Sequence, residues 1–190
     1  MILLDRAGLI AGLRDLVAEL YAAGQPVGLR VVGGGALVLR HFDRRTTADL
    51  DAVDVRPGDE ASVLAAAERV AGRRGWQQDW LNFKASGLVP WFGREIRWET
   101  IYSDDLVTIE VAPVDALLAM KLKASRPGRD TDDIRQLLAA CGIGTVGEAE
   151  TLFEEFFPGD TLSDRAYAMV ERILASGLPE APDAQPPIAL

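Results

Sequence analysis

Three consecutive glycines, Gly33-Gly34-Gly35, close an apolar run that begins at Leu29, and this break constrains the fold of the 190-residue chain more than any other feature. Leu29 to Val32 reads as a short buried strand, and Ala36 to Phe42 as a short helix that starts as soon as the glycines end. Glycines at such a corner let the backbone approach a ligand closely, and N–H groups at a helix start attract anions such as phosphate. The spacing is not the dinucleotide fingerprint, because Val38 stands where its third glycine belongs. No Gly-Lys-Ser/Thr follows, so it is not a P-loop either.

Downstream, Arg45-Thr46-Thr47-Ala48-Asp49-Leu50-Asp51 leads into a strand expected over 49–55. Asp49 and Asp51, two apart on a strand, leave the same face with Cα atoms roughly 6–7 Å apart. Such a pair is either a polar strand start with exposed aspartates or a seat for one hard cation. Mg²⁺ takes one or two protein carboxylates and completes its octahedron with water and substrate phosphate. The upstream glycines and the Arg45/Thr47 lead-in favour the cation.

The rest of the chain gives the order. Asp5 caps a helix with Leu9, Leu13, Leu16, Val17 and Leu20 at helical spacing, ending near Gly24. An alanine-rich helix covers 58–74, and 76–84 reads as irregular or extended chain rich in aromatics. Glu95 to Tyr102 and Leu106 to Val111 form a hairpin around Ser103-Asp104-Asp105. Pro113 opens a helix running to about Ser125, and further helices cover about 131–140, 147–156 and 163–175. The expected class is α+β: a small mixed sheet flanked by helices over 1–112, then a helical part over 113–176. From Gly177 onward, with four prolines, a largely disordered tail is expected over 177–190.

Lys121 lies on the helix face of Val114, Leu117 and Leu118, whereas Lys123 points about 200° away. A lysine on an apolar stripe either snorkels to solvent or meets a fixed anion. Asp130, after Pro127-Gly128 and before a helix, reads as an N-cap, with Asp133 favourable in the first turn; a site role for either is compatible with capping. Trp76, Trp80, Trp91 and Trp98 are either core residues or a platform for a base, and Asn82 is either a turn residue or part of the site.

Composition narrows the partners. One cysteine, Cys141, excludes an internal disulfide, and its apolar helix end makes it an inert thiol; the lone His41 excludes a multi-histidine metal site. A net charge of −9 argues against broad nucleic-acid binding, DNA included. Basic clusters occur at Arg40, Arg44 and Arg45, at Arg69, Arg73 and Arg74, and at Lys121, Lys123, Arg126 and Arg129. No stretch reaches the roughly 20 apolar residues of a membrane helix and no signal segment is evident, so a cytoplasmic location is expected.

Gly-Gly-x-Ala-Leu at 33–37, followed by Arg-x-Thr-x-Asp-Leu-Asp at 45–51, resembles the nucleotidyltransferase superfamily, more narrowly the branch of AbiEii-type and MenT-type bacterial toxins. Leu117-Leu118-Ala119-Met120-Lys121-Leu122-Lys123-Ala124, Arg129-Asp130-Thr131-Asp132-Asp133-Ile134 and Phe156-Phe157-Pro158-Gly159 are similar to that branch too, so the resemblance runs from about 5 to 175. It implies transfer of a nucleoside monophosphate from an NTP with release of pyrophosphate. On that reading Asp49 and Asp51 hold Mg²⁺, while Gly33, Gly34, Gly35, Arg45 and Thr47 meet the nucleotide. Lys121 pairs with phosphate, and Asp130 or Asp133 completes the site or activates the acceptor hydroxyl. A third carboxylate is expected on a later strand, with Glu110 the candidate. The acceptor implied is an RNA resembling tRNA, or a protein hydroxyl, with a cognate antitoxin as partner. Relatives often read Trp-Leu-Asn-Asp where this chain has Trp80-Leu81-Asn82-Phe83. That departure keeps two alternatives open, a small-molecule nucleotidyltransferase and a non-catalytic nucleotide- or partner-binding protein.

Overall fold

The computed structural model describes residues 3–24, 26–42, 46–53 and 55–190. It is a mixed α+β fold of two compact units, one of residues 1–87, 98–112 and 184–190, the other of 88–97 and 113–183. The assignment of 88–97 to the second unit was not legible in the pattern, because nothing in that loop's composition marks its partner.

In the first unit, α1 (Arg6–Ala23) is capped by Asp5, whose side chain accepts from the Gly8 N–H, and ends at Gly24. β1 (Val27–Val32) is followed at once by α2 (Gly33–Ala36) and a π-helical turn over Leu37–His41. The helix therefore starts on the glycines themselves, three residues earlier than expected. β2 (Leu50–Val53), α3 (Glu60–Arg74) and the two-residue β3 (Leu81–Asn82) come next, then β4 (Glu99–Ser103) and β5 (Val107–Val111).

Among the described residues the sheet has the order β3-β2-β1-β5-β4. β1 runs antiparallel to β2 and parallel to β5, β3 runs parallel to β2, and β4–β5 is the expected hairpin. Its turn is held by Asp104, whose carboxylate accepts from the N–H groups of Leu106 and Val107. Leu29, Val31, Leu50, Ile109 and Val111 are fully enclosed in the core with Leu9, Leu13 and Leu16 of α1. Gly12 in mid-helix has a packing cause: a Cβ there would sit 2.7 Å from Trp76 Cζ3. Trp80 is buried, donates from Nε1 to the Ala67 carbonyl and meets Trp76 edge-on; it is core. This contact ties the start of β3 to α3.

In the second unit, α4 (Val114–Ala124) buries Ala116 through Leu122 against α5 (Thr131–Ala140) and α6 (Val146–Phe156), with α7 (Asp164–Ala175) packed on α5 and α6. Arg94 pins the 88–97 segment to this unit through Asp115 at 2.6 Å and Glu155 at 2.9 Å. Trp91 and Phe92 of that segment are exposed, so of the four tryptophans Trp91 departs most from a core role.

The tail from Gly177 carries no helix or strand, as its prolines dictate. Residues 184–190 nevertheless lie with the first unit, where the Gln185 N–H donates to the Arg40 carbonyl and Arg14 donates to the Ala189 carbonyl. Among the described residues no helix is long and apolar enough to cross a membrane.

Candidate metal site and a buried ion cluster

The first candidate site is made where β1 hands over to α2. Val32 pairs with Asp51 across the β1–β2 ladder, so the chain leaves the sheet directly beside that aspartate. Gly33 takes φ +65, a conformation that strains any residue with a Cβ. A Cβ on Gly33 would lie 2.7 Å from Asp51 Oδ2. The glycine leaves the space that the Asp51 carboxylate occupies. Gly35 is needed for a different contact, since its Cβ would lie 2.4 Å from Leu50 Cδ1. Gly34 and Gly35 are buried and Gly33 is half-buried.

Leu50 is enclosed, while Asp51 after it and Asp49, the residue just before β2, are half-buried; Ala52 and Val53 are enclosed. The two carboxylates thus flank one core-facing residue, the spacing that puts both on the opposite side. Thr47 is buried and works behind them. Its hydroxyl donates to the Asp49 carbonyl at 3.1 Å, and its backbone exchanges two hydrogen bonds with Leu4. Thr47 thus fixes the chain entering β2. Arg45 lies outside the described residues.

Asn82 of β3 stands opposite Asp51 in the β2–β3 ladder and is buried. Its Nδ2 lies 3.4 Å from Asp49 Oδ2, a long contact, and its Oδ1 accepts from the Lys84 N–H at 3.0 Å. Lys84 Nζ pairs with Asp79 at 2.6 Å. That carboxylate raises the Lys84 pKa above the ordinary lysine value, and Asp49 and Asp51 add to the effect. Asn82 and Lys84 also line a cleft of about 410 Å³ floored by Leu64, Leu81 and Phe83.

Glu110 is not brought to this pair. It sits on β5, in register with Arg30 of β1, and forms a 2.8 Å ion pair with that guanidinium, which in turn lies over the Trp98 ring. β1 separates β5 from β2 and Glu110 is level with Val53, so Glu110 lies two strand spacings, roughly 10 Å, across the sheet and two residues along from Asp51. The expectation of a third metal carboxylate at Glu110 is corrected accordingly. Strand order, which the pattern could not supply, decides the matter.

Among the described residues no group of three or more His, Cys, Asp or Glu side chains is placed to hold a metal ion. Asp49 and Asp51 are a two-carboxylate set, and Gly33 makes room for one of the two carboxylates. Such a set fits Mg²⁺, which needs only one or two protein carboxylates.

The second cluster lies within the helical unit. Lys121 Nζ donates to Asp130 Oδ1 and Asp133 Oδ2, both at 2.8 Å, and all three residues are buried. The lysine on the apolar stripe does meet fixed anions, and they are protein carboxylates. Asp130 occupies the N-cap position of α5 but makes no capping bond with its side chain. Its carboxylate turns back and accepts from the Arg126 N–H, Nε and Nη2. Burial by itself raises the Asp130 pKa; the Arg126 and Lys121 hydrogen bonds outweigh it and hold the carboxyl well below the usual range. Two cations and two carboxylates make this cluster neutral.

Cys141 is half-buried at the end of α5, with its thiol pushed up to about 12 mainly by burial, which keeps it un-ionised and unreactive. His41 is buried with Nε2 2.7 Å from the Ala112 carbonyl. Asn82 was the residue whose place in the site the sequence least specified; a strand of two residues leaves almost no periodic signal. Comparison with protein-family models, with curated proteins and with solved structures finds no match for this chain.

Proposed function

We propose that the chain is a Mg²⁺-dependent nucleotidyltransferase that moves a nucleoside monophosphate from an NTP to an acceptor hydroxyl. The observation that carries this reading is the close apposition of Gly33 and Asp51, with Asp49 on the same face. The motif resemblance at 33–51 supports it. In the proposed reaction the hydroxyl oxygen bonds to the α-phosphorus, the bond to the bridging oxygen breaks, and pyrophosphate leaves with that electron pair. The hydroxyl proton passes to solvent or to a carboxylate of the site. Mg²⁺ held by Asp49 and Asp51 would neutralise charge on the triphosphate. The protein's own part is to fix those carboxylates: Thr47 anchors the strand entry, Gly33 leaves room for Asp51, and Asn82 contacts Asp49. Lys84, exposed beside the cleft and within the field of Asp49 and Asp51, is a described cation available to a phosphate group. Lys121 and its two aspartates act in this reading as a structural clamp.

The acceptor is an RNA or protein hydroxyl, and a role as a toxin would bring a cognate antitoxin as partner. One observation favours a second reading, a small-molecule hydroxyl. Among the described residues several cations of the basic clusters are paired internally: Arg69 and Arg73 with Glu19, Arg74 with Asp15, and Arg40 with Glu99. Incubation with each α-labelled NTP, Mg²⁺ and either total RNA, protein lysate or a small-molecule extract separates the acceptors. Label must move to one of them, and Asp49→Ala must abolish the transfer. Transfer that survives Asp49→Ala refutes the site, and absence of any transfer with every NTP refutes the activity.

A further inference from the structure

Asn82 has both ends of its amide engaged, and the engagement fixes which end faces the carboxylates. Oδ1 accepts from the backbone N–H of Lys84 at 3.0 Å. Nδ2, the donor end, is therefore turned toward Asp49 Oδ2 at 3.4 Å and the Asp79 carbonyl at 3.5 Å. A flipped amide would set a donor against the Lys84 N–H and an acceptor against a carboxylate. The residue is 4% exposed, so neither mismatch could be relieved by solvent.

The ladder places this amide beside the proposed ion. Asp51 and Asn82 are register partners on parallel neighbours, so their side chains leave the same face at roughly the 4.8 Å strand spacing. Three side chains, Asp49, Asp51 and Asn82, thus share one side of one sheet corner. Two are carboxylates and the third is neutral. Glu110, on the far side of β1, supplies no further charge there.

We infer that Asn82 is a positioning residue for the divalent ion: its Nδ2–H orients Asp49, and its neutrality holds the site at two carboxylates. This rests on the reading that Asp49 and Asp51 bind Mg²⁺. Partners that orient a ligating carboxylate change metal affinity about 10–100-fold when lost, and added ligand charge strengthens hard-cation binding. A merely structural Asn82 would alter stability without either effect.

The experiment is calorimetric titration of the full chain with MnCl₂ and with MgCl₂, without nucleotide, for the native protein, Asn82→Ala, Asn82→Asp and Asp49→Ala. Asn82→Ala is expected to weaken divalent binding about tenfold. Asn82→Asp is expected to tighten it about tenfold, with a larger rise in melting temperature on adding metal. Circular dichroism checks that each variant is folded. A parallel measurement needs no variant: Mn²⁺ must broaden the Asn82 side-chain NH₂ resonances at the first equivalents in the native protein. Affinities of Asn82→Ala and Asn82→Asp within twofold of native, or an unbroadened Asn82 amide, overturn the inference. If the native protein itself binds no divalent ion, or Asp49→Ala binds as well as native, the failure lies instead in the underlying metal site.

Discussion

Replacing Lys121 by methionine separates a structural clamp from a phosphate ligand. The side chain keeps its length and apolar stem but loses the ammonium, leaving Asp130 and Asp133 in a site where the three side chains are 0–7% exposed. Removing one partner of a buried ion cluster destabilises by about 3–5 kcal/mol, because the remaining charge stays desolvated. Asp130 keeps three N–H donors from Arg126, so the lower end applies, about 3 kcal/mol. With a urea slope of about 2 kcal/mol/M, the unfolding midpoint falls by roughly 1.5 M. Far-UV circular dichroism during urea titration follows the loss of helix, to which α4 to α7 of the second unit contribute. The drop should be the same in 0.1 and 1 M NaCl, since buried pairs are little screened. Adding Asp133→Asn to Lys121→Met should recover part of the loss by removing one stranded charge. The reasoning is refuted if Lys121→Met unfolds within about 0.5 M urea of the native protein while NTP affinity falls tenfold or more. That result would place the ammonium on the substrate.

Two further outcomes follow from the same geometry. Gly33→Ala must adopt φ +65 with a Cβ pressed on Asp51 Oδ2. It should lose about 1–2 kcal/mol of stability in thermal melts and at least tenfold in Mn²⁺ affinity, as the Asp51 carboxylate is displaced. Acid sensitivity should centre on Asp130 and Asp104. Asp104 is held at about 2: burial opposes this, and the Tyr102 hydroxyl and the N–H groups of Val107 and Leu106 outweigh it. Both folded-state values lie below the ordinary carboxylate pKa of about 3.9, so the unfolded chain binds more protons as pH drops. Their stabilisation is complete above about pH 4 and is lost as pH falls toward 2. Urea midpoints measured from pH 5.5 down to 2.5 should decline, and the decline should be shallower in Asp130→Asn and in Asp104→Asn.

The sequence disclosed what periodicity and turn chemistry encode. Helices α1 and α3 to α7, the β4–β5 hairpin and the shared face of Asp49 and Asp51 were all readable, because each is a local pattern. What it withheld was strand order. A β5 that pairs with β1 rather than lying near β2 sends Glu110 to Arg30, and no pattern within the strand announces its neighbour. β3 has two residues, too few for a period, so the pattern left Asn82 open between a turn residue and part of the site. The glycines were legible as a corner, yet their causes differ: Gly33 yields to a carboxylate and Gly35 to Leu50. The resemblance to nucleotidyltransferases likewise marked Lys121, Asp130 and Asp133 without saying that they satisfy one another.

The two charged constellations use the same residue types and arrive at opposite electrostatic states, and burial is what divides them. Around Lys121 each carboxylate has a cation within 3 Å and no solvent, so bringing a phosphate there would first require breaking bonds made in low dielectric. Around Asp49 the two carboxylates are half-buried, Asp51 has the neutral Asn82 as a ladder neighbour, and Gly33 leaves room for the Asp51 carboxylate. An incoming hydrated cation meets partly solvated ligands there. On the proposed reading, metal chemistry belongs at the strand corner and stability at the helix clamp. A chain that reversed the two, with Asp49 sealed behind a lysine and Asp130 half-exposed beside an asparagine, would keep its composition and lose its candidate site.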